Sequence, residues 1–89
     1  MIRYDDLCKL DDDFFYYRDF LFAWMRRPKR KRDRNRRVNF VVGHLFDAAS
    51  SGLTGEIDPI PHAKLLKIKT RTVRRWLIGL ARELSRQEG

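Results

Sequence analysis

Residues 59–78 read Pro59-Ile-Pro-His-Ala-Lys-Leu-Leu-Lys-Ile-Lys-Thr-Arg-Thr-Val-Arg-Arg-Trp-Leu-Ile78. The stretch predicts two helices joined by a tight turn. Asp58 precedes it as an N-cap, and Pro59 suits the first helical position, where a missing N–H costs nothing. Pro61 still falls within the first turn. A short helix therefore runs to about Lys67. Thr70 is read as the N-cap of a last helix reaching about Arg86. Its buried face is Val73, Trp76, Leu77, Leu80 and Leu84, at helical spacing.

Upstream, Val38, Val41, Val42, Leu45, Phe46 and Ala49 recur at helical intervals over Arg36–Ser50. Val and Phe also favour strands, but the pattern is too long for a short alternating strand, so a helix is preferred. Gly52 can close it in the left-handed region, and a connector with Gly55 follows. A further helix is read over Asp11–Arg27. Asp11, Asp12 and Asp13 suit its positive end, and Phe14, Tyr17, Leu21 and Trp24 form one apolar stripe. Arg26 and Arg27 suit its negative end, and Pro28 stops it. Met1–Leu10 is ambiguous, with room for a short helix. Pro28–Arg37 has no apolar anchor besides Pro28 and reads as an exposed loop running into the next helix.

With 89 residues the chain fits a single domain, 1–89. Its organisation is an aromatic helix at 11–27, a basic loop at 28–37 and a helical core at 36–86. The 43% apolar fraction and the 11 aromatic side chains mark a folded chain rather than a disordered one. Cys8 is the only cysteine, so no internal disulfide or thiolate metal site is expected; it reads as a small buried apolar group. No apolar run is long enough to span a membrane, and the start lacks the apolar stretch of a signal peptide. A reducing interior follows, cytoplasmic and nucleoid-associated, or nuclear in a eukaryotic setting.

The net charge of +8 is segregated. Residues 1–24 carry three basic and six acidic side chains, and residues 25–37 carry nine and one. Residues 38–63 have three acids and no Lys or Arg, while residues 64–89 hold eight basic and two acidic groups. Two basic blocks separated by an acidic, apolar stretch point to a polyanionic partner.

Two short helices after a longer one resemble the tri-helical helix-turn-helix of DNA-binding proteins. Ala63 stands where that family needs a small residue. Leu66 and Ile68 flank the turn, and Val73 and Trp76 stand at the buried positions of the second helix. Lys67 replaces the usual turn glycine, and His62 an apolar residue. The resemblance implies an all-α domain of four or five helices, with a tri-helical helix-turn-helix core and no C-terminal wing. It makes the last helix a recognition helix presenting Lys69, Thr70, Arg71, Thr72, Arg74, Arg75 and Ile78 to duplex DNA, where Arg bonds guanine and Thr reaches base edges or phosphate. A solvated basic face is the plainer alternative.

Lys29, Arg30, Lys31, Arg32, Arg34, Arg36 and Arg37, with Lys64 and Lys67, are read as contacts to the phosphate backbone. The basic block also fits an RNA-binding arginine-rich segment, and Lys29–Arg32 looks like a nuclear-localisation signal. His44 and His62 are read as surface or packing residues, and the aspartates as caps and charge balance. No metal, cofactor or enzymatic activity is expected, since no nucleophile–base pair, phosphate loop or paired catalytic carboxylates occur. The expected role is sequence-specific duplex DNA binding, as in a small transcriptional regulator, excisionase-like or replication-origin-binding factor. An RNA- or single-strand-binding subunit of a ribonucleoprotein and a protein-interaction factor or inhibitor are the alternatives. The surplus aromatics of residues 14–25 suit a homodimer.

Overall fold

A computed structural model describes residues 2–88. The side chains of Asp11 and Glu88 lie outside that description, and with Asp11 goes its reading as a capping carboxylate. The protein is all-α. Helix α1 spans Tyr4–Asp12 and α2 spans Phe14–Arg26. Helix α3 is one continuous rod made of Lys31–Val38 in α form, Asn39–Leu45 in π form and Phe46–Ser50 in α form again. Helix α4 spans Pro59–Leu66 and α5 spans Thr70–Glu88. No strand occurs among the described residues; an isolated antiparallel bridge joins Arg3 to Glu56.

The expected helix over Asp11–Arg27 is instead two helices. The chain breaks at Asp13, whose backbone adopts φ −120° and ψ 45° and whose side chain caps nothing. Three adjacent aspartates repel one another and are poor interior helix formers. The ambiguous N-terminal segment becomes α1, which starts where the Asp6 carboxylate accepts from the Arg3 N–H at 2.9 Å. Asp12 therefore ends one helix rather than opening the next. In α2, Tyr17, Leu21 and Trp24 are buried as read, Met25 joins them, and Phe14 stays at the surface, 37% exposed.

The basic segment also differs from its reading. Only residues 28–30 form a loop, and helix begins at Lys31. Arg34 donates to the carbonyls of Pro28 and Lys29, at 3.1 and 2.7 Å. Arg37 donates to the Trp24 carbonyl at 2.7 Å and stacks on its indole 4.5 Å from the ring centroid. These contacts fix a segment that has no apolar side chain of its own until Val38. The strand alternative for 36–50 is excluded. In the π turn, the Phe46 N–H bonds to the Val41 carbonyl five residues back, and Phe40, Val41 and Leu45 are buried.

Asp58 caps α4 as read, accepting from the Ile60 N–H at 3.0 Å. Lys67 is left-handed (φ 57°, ψ 43°). The Ile68 N–H reaches the Ala63 carbonyl at 3.1 Å and the Lys67 N–H reaches Lys64 at 3.3 Å, which closes a Schellman motif. Thr70 is the first residue of α5, not its cap. The Lys69 carbonyl accepts from Thr72 and Val73, so the cap position falls one residue earlier.

One contiguous core unites all five helices: Leu7 and Leu10 of α1, Leu21 and Trp24 of α2, Phe40 and Leu45 of α3, Ala63 of α4, and Val73, Leu77 and Leu80 of α5. Ile2 and Ile57 extend it where the N-terminus lies beside the α3–α4 connector. There Gly55, at φ 85°, turns its carbonyl to the Tyr4 N–H at 2.9 Å. Cys8, read as buried, is exposed. It lies at the rim of a small cavity between α1 and the end of α3, beside Asp12, Phe46 and Ala49, and Leu7 takes the inward position.

Candidate nucleic-acid interface

The buried face of α5 is Val73, Trp76, Leu77, Leu80 and Leu84. With about 3.6 residues per turn, the opposite side must carry Arg71, Arg75, Ile78 and Arg82 in one stripe, with Arg74 beside it. All four arginines are exposed, and Ile78 is partly so. At about 1.5 Å per residue the stripe runs about 16 Å from Arg71 to Arg82. Arg82 was not among the residues singled out from sequence, although its spacing from Arg71 and Arg75 was there to read. Lys69 is exposed at the start of the helix, whereas Thr70 and Thr72 are half-buried. Lys64 and Lys67 are exposed at the α4–α5 turn.

The second block lies next to α5. Trp24 packs against Gly79, where a Cβ on the glycine would sit 3.2 Å from the indole nitrogen. One turn on, Arg27 pairs with Glu83 at 3.0 Å. The start of the basic block is thereby held beside the middle of α5, so groups some fifty positions apart in the chain become neighbours.

Within that block the residues divide. The guanidinium groups of Arg34 and Arg37 are engaged inside the chain, as described above. Burial, and then the nearby Arg27 cation, push the Arg37 guanidinium below its ordinary value, while Asp33 acts in the opposite direction. Lys29, Arg30, Lys31 and Arg32 are exposed, and Arg36 is half-buried. Lys31, Arg32, Asn35, Arg36 and Asn39 line one shallow groove along the outer side of α3.

Cations are unevenly matched with acids. Among the described residues Arg3, Arg18, Arg27 and Arg86 form ion pairs. Lys29, Arg30, Lys31, Arg32 and Arg36, and Arg71, Arg74, Arg75 and Arg82, take no part in them. Such clustered, unneutralised charge raises the local concentration of anions.

Away from this surface, His62 is buried on α4. Its Nε2 lies 3.0 Å from the Tyr4 hydroxyl, and its Nδ1 has no partner. Phe40 and His44 of α3 face the same ring. His62 is thus a packing residue tying α1 to α4, one of the two roles its sequence context allowed; His44 is half-buried beside it. Among the described residues no group of His, Cys, Asp or Glu is arranged to hold a metal ion, and no helix is long and apolar enough to cross a membrane.

The chain matches no protein-family model, no curated protein and no solved structure.

Proposed function

We propose that this protein binds duplex DNA sequence-specifically, with α4 and α5 acting as a helix-turn-helix and α5 as its recognition helix. The observation that carries the reading is the outer stripe of α5, in which Arg71, Arg75 and Arg82, with Arg74 beside them, stand exposed and outside the ion pairs described above. A major groove about 12 Å wide admits one helix, and Arg is suited to guanine because its planar fork matches two acceptors at once. The left-handed turn at Lys67 supports the same reading, since it leads the short α4 into the long α5 through a tight connection. Lys64, Lys67 and Lys69 at that turn, and Lys29–Arg32 beside α5, supply sequence-independent attraction to phosphates.

Selection from a random duplex pool, run beside a random RNA pool, tests the proposal. A preferred duplex sequence is expected. Arg71→Ala, Arg74→Ala or Arg75→Ala should then each weaken it by about 1–3 kcal/mol and relax one base position. Equal losses on preferred and scrambled duplexes would reduce these arginines to phosphate contacts, and enrichment of RNA alone would favour a ribonucleoprotein subunit.

One observation favours a second role in protein docking. Phe15 and Tyr16 are 81% and 63% exposed on α2, and Phe14 and Phe22 are also exposed. Asp12, Asp13 and Asp19 stand on the same segment and repel phosphates, so this patch suits a protein better than a nucleic-acid strand. A stable protein complex formed without nucleic acid, and lost in Phe15→Ser, would support that reading.

A further inference from the structure

We infer that the outer face of the first half of α3 is a second base-reading surface, in which Asn35 and Asn39 contact base edges of the same duplex that α5 engages. The inference rests on the duplex-DNA reading of α5 and adds to it a site made by another helix.

Asn35 and Asn39 stand one turn apart on one face, flanked by Lys31, Arg32 and Arg36, and these five side chains line a common groove. Both asparagines are exposed. Among the described residues neither makes a side-chain hydrogen bond, so neither caps a helix nor ties α3 to its neighbours. Asn is among the poorer formers of helix interiors, which makes two of them within five positions unfavourable for the helix itself. The Asn39 carboxamide lies over Gly43, where a Cβ would come within 2.7 Å of its Oδ1. The glycine leaves room for that amide to lie close to the helix.

A phosphate offers only acceptors. The basic side chains satisfy it fully, whereas the carbonyl half of an asparagine amide finds no partner there. Adenine presents an acceptor and a donor side by side in the major groove, the pattern a carboxamide matches with two bonds. Base reading also needs a fixed frame. A mobile basic arm does not supply one, but here the frame is rigid: Arg34 bonds back to Pro28 and Lys29, and Arg37 is clamped on Trp24. The inward arginines hold the helix while the outward residues are left for a ligand. Since Arg27 pairs with Glu83, this frame is coupled to α5.

The test uses the full chain and duplexes taken from selection with the wild type. Asn35→Ala and Asn39→Ala are expected to lower affinity for the preferred duplex about tenfold each, within the range for a lost bidentate base contact. Affinity for a scrambled duplex and the dependence on salt should not change. Repeating the selection with the Asn35→Ala/Asn39→Ala variant should erase preference at adenine positions that Arg75→Ala leaves intact. Replacing those adenines with 7-deaza-adenine should weaken the wild type and leave the double variant unaffected. Gly43→Ala, which displaces the Asn39 amide without removing it, should reproduce the Asn39→Ala loss. Circular-dichroism melts of all variants establish that they are folded. If the wild type discriminates between duplexes and the asparagine variants retain every base preference, the α3 surface is refuted and the α5 reading stands. If the wild type prefers no duplex sequence, both fail.

Discussion

Arg36 and Arg37 are adjacent and chemically identical, and the structure gives them opposite tasks. Replacing each with Ala separates those tasks. Arg37→Ala removes a charged donor 2.7 Å from the Trp24 carbonyl and a guanidinium 4.5 Å from the centre of its ring. A hydrogen bond from a charged group contributes about 1.5–3 kcal/mol. A partly desolvated cation–π contact adds about 0.5–2 kcal/mol. The buried Arg37 Nε has no partner, and losing that unfavourable feature offsets part of the sum. The expected cost is about 2–4 kcal/mol, allowing for non-additivity. In a domain of this size that lowers the melting midpoint by roughly 10–25 °C.

Arg36→Ala removes a side chain that takes no part in the hydrogen bonds and ion pairs among the described residues, and should change stability by no more than about 0.5 kcal/mol. On duplex DNA the order reverses. Arg36→Ala should flatten the log–log salt dependence by about 0.9, the value for one lost phosphate contact. Arg37→Ala, measured at a temperature where it is folded, should leave the slope unchanged. Urea titrations followed by circular dichroism give the stabilities, because either Trp emission could respond to the mutation directly. Equal unfolding midpoints for the two variants would show that Arg37 does not clamp Trp24, and the account of why residues 31–38 are helical would fail with it.

Three further outcomes are expected. Lys67→Gly should stabilise the fold by about 0.5–1 kcal/mol, because glycine relieves the left-handed strain and gives back only part of the gain as chain entropy; a destabilised variant in thermal melts would mean that the turn is not left-handed in solution. Trp76→Ala should cost about 3–5 kcal/mol, since its ring is buried 5.3 Å from that of Phe40, and an unchanged melt would place Trp76 on the surface. Burial, and then His44, push the His62 imidazole below its ordinary value of 6.5, with Asp58 working upward and the Tyr4 hydroxyl bonded to the ring. The unfolded chain therefore takes up a proton at higher pH than the folded one. Stability should be complete above about pH 6.5 and fall as pH drops from there through the folded-state value; melts across pH 4–8 check this, and His62→Gln should flatten the curve in that window.

Local chemistry made the second half of the chain readable. Asp58 and Pro59 fix the start of α4 whatever surrounds them, and the apolar face of α5 repeats through about three turns, from Val73 to Leu84. The first half was less legible because its structure is set at a distance. Nothing within Pro28–Arg37 shows that Arg37 will find the Trp24 ring, yet that contact turns an expected loop into helix. The break at Asp13 depends on α1 and α2 both folding onto one core, and neither stripe alone reveals that they part there. Cys8 was misjudged because composition says how often cysteine is buried, not which side of α1 it occupies. The basic stripe of α5 was legible in its first turns and was cut short before Arg82, although the spacing continues. The asparagine pair of α3 was invisible as a site because Asn35 was read in the loop and Asn39 in the helix after it, which hid the face they share.

The π turn in α3 sets a phase between two halves of one rod. In an α-helix each residue advances about 100° around the axis, and a wider turn takes up one residue more than its length requires. Deleting one residue between Asn39 and Leu45 would let the rod close into uninterrupted α-helix. Because the wider turn already takes up the extra residue, Lys31–Val38 and Phe46–Ser50 would keep nearly their present phase. Arg34 and Arg37 would stay near their anchors, and the groove of Lys31, Arg32 and Asn35 would face nearly its present direction. The turn is thus a store of one residue of slack, a place where the chain can change length while the surfaces on either side of it keep their aim.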